Sequence, residues 1–175
     1  GWQCDMTALE HALAQPQNKI FLLCSPQNPT GKVWSREELT RMAQLCARHN
    51  VAVISDEIHM DMVWSGHQHT PWSAVAQGPW ALLTSGSKSF NIPALTGAYG
   101  LIGDEATRAA YLDALKGRDG LSSPSVLALV AHIAAYQQGE HWLDALRHYL
   151  EENLRFVATT LNHAFPQLNW QPPQA

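Results

Sequence analysis

Charge is scarce in this chain. Only 15% of its 175 residues are Asp, Glu, Lys or Arg, the formal net charge is -4, and no basic run occurs. A surface that grips a phosphate backbone needs clustered Lys and Arg, so nothing here points to nucleic acid. Long apolar runs are missing too: stretches such as Lys19–Cys24 and Val51–Ile54 are far too short to cross a bilayer. Cysteine is limited to Cys4, Cys24 and Cys46, an odd and widely spaced set with no CxxC. That pattern suggests neither a disulfide framework nor a zinc knuckle, and it fits reduced, mostly buried thiols in a cytoplasmic protein. No internal repeat, low-complexity tract or leader pattern stands out. What the chain does have is apolar material: 46% hydrophobic residues allow one domain with a real core, and the low charge argues against disorder. The chain opens on Gly1 and closes on Pro172-Pro173-Gln174-Ala175, so we expect a segment of a longer protein.

Periodicity gives the elements. Asp5 is placed to cap a short helix with Met6, Leu9 and Leu13 at helical spacing. Lys19–Cys24 reads as a fully buried strand, and SPQNPTG (Ser25–Gly31) as a loop. Ser35-Arg36-Glu37-Glu38 matches the capping box, predicting a helix to about Arg48 that buries Leu39, Met42, Leu45 and Cys46 and stops near Asn50. Val51–Ser55, Ala81–Thr84 and Ala98–Ile102 are the next candidate strands. After Gly103 the pattern turns helical, over Asp104–Lys116, Ser125–Gln138 and Glu140–His163. The last helix carries Trp142, Leu146, Leu150, Leu154 and Val157 near one face. Strand, helix, strand and further strand predict an α/β sheet with helical crossovers.

Three polar residues fall just after three of these strands: Asn28, Asp56 and Lys88, spaced 28 and 32 positions apart. Ligands of open α/β sheets gather at the carboxyl ends of the strands, so the three can share a pocket. Each has a task if the ligand is pyridoxal 5'-phosphate. Lys88 suits the aldehyde, as the Schiff-base lysine. Asp56 suits the ring nitrogen, keeping it protonated, and Asn28 the ring hydroxyl. Ser85 and Ser87, flanking Gly86, suit the phosphate.

The stretches SPQNPTGKVW, ISDEIHMDMVW and TSGSKSFNIPALTGAYG resemble the fold-type I pyridoxal-phosphate enzymes, the class I/II aminotransferase superfamily. Within it they are similar to the MalY/PatB cystathionine β-lyase branch, over essentially the whole chain. The resemblance implies a three-layer PLP-transferase-like large domain, its mostly parallel sheet flanked by helices and incomplete here. Residues 1–140 would be the central part of that domain, and 141–175 the connecting long helix and the start of a small C-terminal domain. It implies the roles given above for Lys88, Asp56, Asn28, Ser85 and Ser87, and a cis Asn28–Pro29 bond. It implies a carbon–sulfur β-lyase that releases a thiol, pyruvate and ammonia from a sulfur-containing amino acid, homodimeric when full length. One member of the branch also represses the maltose transcriptional activator, so such a partner is permitted beside catalysis. Two departures favour the lyase branch over a transaminase: His59 stands where aminotransferases commonly have tyrosine, and Thr96 where they have a phosphate-binding arginine. His59 can still donate to the ring oxygen, whereas Thr96 brings no charge.

Blander readings stand beside these. Lys88 can be a surface lysine, Asp56 a solvated loop residue, Asn28 a turn former and His59 a structural histidine. His59, Asp61, His67 and His69 could suggest a metal site, but the His-x-His spacing is common by chance and no metal is expected. Thr30-Gly31-Lys32 is no P-loop, because Pro26 and Val33 occupy its glycine and hydroxyl positions. Ser85-Gly86-Ser87-Lys88 does match S-x-x-K, the serine acyl-transfer signature. That chemistry requires Ser85 to begin a helix and a downstream KTG, which the chain lacks; apolar Ala81–Leu83 predicts a strand end there instead. An aminotransferase and a regulatory binding protein remain the alternatives to a lyase.

Overall fold

Short apolar runs bounded by loop residues build a four-stranded sheet: β1 (Ile20–Cys24), β2 (Ala52–Asp56), β3 (Trp80–Thr84) and β4 (Tyr99–Ile102), in that spatial order. The computed structural model describes residues 1–121 and 124–175. The first three strands are parallel, and β4 returns antiparallel beside β3. The register aligns Phe21 with Val53 and Trp80, and Leu23 with Ser55 and Leu82.

That face is covered by two helices, α1 (Met6–Leu13) and α2 (Arg36–Arg48). Asp5 caps α1, accepting from the Thr7 and Ala8 amides. Ser35 caps α2 in a complete capping box: its hydroxyl accepts from the Glu38 N–H at 3.1 Å, and the Glu38 carboxylate from the Ser35 N–H at 2.9 Å. Leu39, Met42, Leu45 and Cys46 of α2 pack against Leu23, Val53 and Trp72. Burying each large apolar side chain there contributes about 1.5–3 kcal/mol. Asn50, at a φ of 54°, turns the chain out of α2 into β2.

The opposite sheet face differs from the expectation of a fully buried first strand. Ile20 and Leu22 are exposed, as is Leu83 two strands away. An unbroken apolar run predicts burial on both sides, but only one side is covered among the described residues.

The connection from β2 to β3 also departs from the expected helical crossover. It is a long loop whose only helical turn among the described residues is the 3-10 segment Trp72–Ala74. Beyond β3 comes a four-residue helix, α3 (Gly86–Ser89), capped by Ser85. After β4, helix α4 (Glu105–Asp113) ends in a π-helical turn, Ala114–Arg118. Helix α5 (Val126–Gln138) is capped by Ser125, and helix α6 (Glu140–Ala164) follows immediately after Gly139. No helix among the described residues is long and apolar enough to cross a membrane.

Candidate active site

The sheet register brings the strand ends level. Cys24 pairs with Asp56, and Asp56 with Leu83. The Ser25 N–H donates to the Asp56 carbonyl and the Glu57 N–H to the Leu83 carbonyl, each at 2.9 Å. Asp56 is thus the last residue of the middle strand. The Asn28 loop leaves on one side of it and the Lys88 helix on the other, all at one carboxyl edge.

Cys24 fixes the Asn28 loop. Its sulfur accepts from the Asn28 N–H at 3.3 Å and donates to the Pro26 carbonyl at 3.3 Å. Gln27 closes the turn by bonding Lys32 and Gly31 through its backbone and Thr30 through its side chain. Gly31 needs its glycine for a φ of 63°. Both Ser25–Pro26 and Asn28–Pro29 are cis, the second as expected. The chain end adds a strap, with the Gln174 and Ala175 amides donating to the Gly31 carbonyl.

Asp56 is exposed and accepts from the Ile58 N–H at 3.1 Å. His59 follows three residues on. Burial pushes its imidazole below the ordinary histidine range; Asp56 draws it back up, and Lys88 lowers it further. Asp56 ends the second strand, Lys88 follows the third within α3, His59 lies on the loop after Asp56, and Asn28 lies on the loop after the first strand, so all four sit at one carboxyl edge of the sheet.

Beneath them lies a network that the sequence did not signal. Glu57 is wholly buried, and its carboxylate accepts from Ser55 Oγ (2.9 Å), the Trp72 N–H (2.8 Å) and His69 Nε2 (2.7 Å). His69, weighed above as a metal ligand, instead pairs with Glu57. No group of three or more potential ligands gathers among the described residues. Ser89, also buried, donates to Asp61 Oδ2 at 2.7 Å, and Arg147 of α6 donates to the Asp61 carbonyl at 3.1 Å. The turn carrying Lys88 is thereby tied to the loop carrying His59.

The strand ends at Thr84, as expected, but Ser85 then caps a short helix that was not expected. The run Gly-Ser-Lys-Ser has weak helix propensity, but the Ser85 hydroxyl accepts from the Ser87 N–H at 3.1 Å and nucleates the turn. This satisfies one local requirement of the S-x-x-K signature. However, the hydrogen bonds of Ser85 Oγ run to the Gly97 carbonyl (2.6 Å), Ser87 and His132 Nε2 (3.3 Å), and not to Lys88. His132 went unnoticed in the sequence; the available signal was a single histidine set in the apolar run VLALVAHIAA of α5. Thr96 is exposed.

Known proteins share the sequence and fold of this chain. The chain is 71% identical, over its whole length, to Protein MalY of Escherichia coli (strain K12), covering 45% of that protein. It is 37% identical over 98% of its length to cystathionine β-lyase PatB of Bacillus subtilis (strain 168), again covering 45%. The PLP-bound C-S lyase from Staphylococcus hominis superposes over 100% of this chain and 44% of its own, with a TM-score of 0.91 at 32% identity. The chain thus spans less than half the length of the relatives it matches. The family model for aminotransferase class I and II matches residues 1–175, and the chain belongs to that family.

Proposed function

We propose that the protein carrying this chain is a pyridoxal-phosphate-dependent carbon–sulfur β-lyase of the cystathionine β-lyase type. It would release a thiol, pyruvate and ammonia from a sulfur-containing amino acid. The observation that carries the reading is the placement of Asn28, Asp56 and Lys88 at the carboxyl ends of three adjacent parallel strands. The identities to MalY and PatB, and the likeness to a PLP-bound C-S lyase, support it.

The chemistry of the residues at this strand edge fits the cofactor: a carboxylate for the ring nitrogen, an amide for the ring hydroxyl, an amine for the aldehyde and two hydroxyls for the phosphate. Bound pyridoxal phosphate supplies an aldehyde that captures an amine and a ring that draws electrons from the substrate's Cα. Asp56 would hold the ring nitrogen and favour its protonated form. The Asn28 amide would hold the ring hydroxyl oxygen, with His59 as a second donor to it. The Lys88 amine would hold the aldehyde and serve as the base for the substrate's Cα proton. Ser87 would be the readier phosphate ligand, since the Ser85 hydroxyl donates to the Gly97 carbonyl.

The same reading makes residues 1–140 the central part of the large domain and 141–175 the connecting helix and the start of a small domain. It adds a second copy of the chain as partner, the maltose transcriptional activator as a further one, and the cytoplasm as the location; cross-linking and a pull-down with the activator test the partners. An aminotransferase is the second reading, favoured by 44% identity over 92 residues to kynurenine–oxoglutarate transaminase 1 of Rattus norvegicus, which covers 51% of this chain. The deciding experiment follows pyruvate release from cystathionine by the full-length protein, beside formation of pyridoxamine phosphate from an amino donor. Pyruvate without stoichiometric pyridoxamine phosphate supports the lyase; the reverse supports the transaminase.

A further inference from the structure

We propose that His132, as an imidazolium, supplies the positive charge of the phosphate subsite; this rests on the reading of Ser85 and Ser87 as phosphate ligands. The argument is an account of protons. A hydroxyl carries one proton, and a carbonyl oxygen only accepts. Ser85 Oγ lies 2.6 Å from the Gly97 carbonyl oxygen, so the Ser85 proton goes there. Its lone pairs take the Ser87 N–H at 3.1 Å and face His132 Nε2 at 3.3 Å. Nε2 must therefore hold a proton of its own. On the other edge of the ring, Nδ1 lies 2.8 Å from the Ala128 carbonyl oxygen, which again only accepts, so Nδ1 holds a proton as well. A ring with both nitrogens protonated is a cation. A neutral ring would set two acceptors face to face at one of these contacts.

Two further observations point the same way. The ring is held in a slot between glycines: a Cβ on Gly86 would come within 3.2 Å of its Cδ2, and one on Gly97 within 3.5 Å of its Cε1. The imidazole therefore lies directly behind the Ser85–Ser87 turn. The stretch that carries the turn is poor in positive charge. From Thr84 to Asp104 the one basic residue is Lys88, which the proposed chemistry assigns to the aldehyde, and Thr96 is neutral. A phosphate dianion at this turn would gain a charge-assisted hydrogen bond from a cation.

The test uses the full-length protein stripped of cofactor. Affinities for pyridoxal phosphate and for pyridoxal, which lacks the phosphate, are measured for wild type, His132→Gln and His132→Ala. Glutamine keeps a donor toward Ser85 without the charge. The expected result is roughly tenfold weaker binding of pyridoxal phosphate by both variants, about 1.4 kcal/mol, with pyridoxal affinity changed by less than about twofold. Equal loss for both ligands, or no loss for either, overturns the role of His132. Wild type that fails to prefer pyridoxal phosphate over pyridoxal refutes the phosphate reading of the serines instead. Nitrogen-15 spectra of histidine-labelled, cofactor-loaded wild type provide a readout independent of any variant's folding. Two protonated ring nitrogens at residue 132 are expected, and a single one sinks the proposal.

Discussion

Replacing Glu57 by alanine should destabilise the full-length protein by about 3–5 kcal/mol, because three hydrogen-bond donors lose the buried carboxylate that serves them. The magnitude follows from the three donors that its carboxylate serves. Losing the His69 contact removes a charge-assisted hydrogen bond of about 1.5–3 kcal/mol. Ser55 Oγ and the Trp72 N–H are both buried, and leaving each unsatisfied costs about 1–3 kcal/mol more. The raw sum exceeds the expected range because water entering the vacated space re-satisfies part of it. Glu57→Gln should cost less, about 1–3 kcal/mol, since its amide oxygen still accepts from Ser55 and Trp72. Urea unfolding followed by tryptophan fluorescence measures both variants, with Trp72 inside the affected core. A Glu57→Ala loss below about 1 kcal/mol would refute the view that this network holds the loop behind Asp56 and His59.

Other expectations follow from the same structure. Ser35→Ala removes half of the capping box and should lower stability by about 1 kcal/mol, read as a urea midpoint shift without a change in slope. Lys88→Met should raise the His59 titration midpoint and Asp56→Asn should lower it, both followed by NMR of the cofactor-free protein; shifts of the same sign, or none, would separate these three groups. Because burial holds His59 below the unfolded value of 6.5, its folded state binds fewer protons than its unfolded state. Its contribution therefore costs nothing well above that pH and erodes stability as pH falls through the unfolded value toward the folded one. Stability in His59→Gln should be flatter across that window.

The sequence made the covalently local features legible. Asp5 and the Ser35–Glu38 box mark the starts of α1 and α2 because capping is a contact over three residues, readable from spacing alone. The buried set Leu39, Met42, Leu45 and Cys46 follows from helical period. The edge gathering Asn28, Asp56 and Lys88 was legible because strand ends are where parallel sheets put their ligands. Partnerships that depend on tertiary packing were not. Glu57 and His69 are 12 residues apart on a loop without periodicity, and Ser85 and His132 are 47 apart on separate elements. On α6 the fully buried position is Leu143, one place from the predicted Trp142, which stays half exposed; the helix presents its stripe slightly turned. Helix α3 escaped notice because glycine and serine weigh against a helix unless a cap nucleates it.

The central claim is that the amine at position 88 is the one that joins the cofactor. Borohydride treatment of the cofactor-loaded full-length protein, followed by proteolysis and mass spectrometry of the peptides, locates that bond directly. The account predicts the pyridoxyl mass on Lys88. Finding it on Lys19, Lys32, Lys116 or any other lysine, with Lys88 unmodified, would contradict the account.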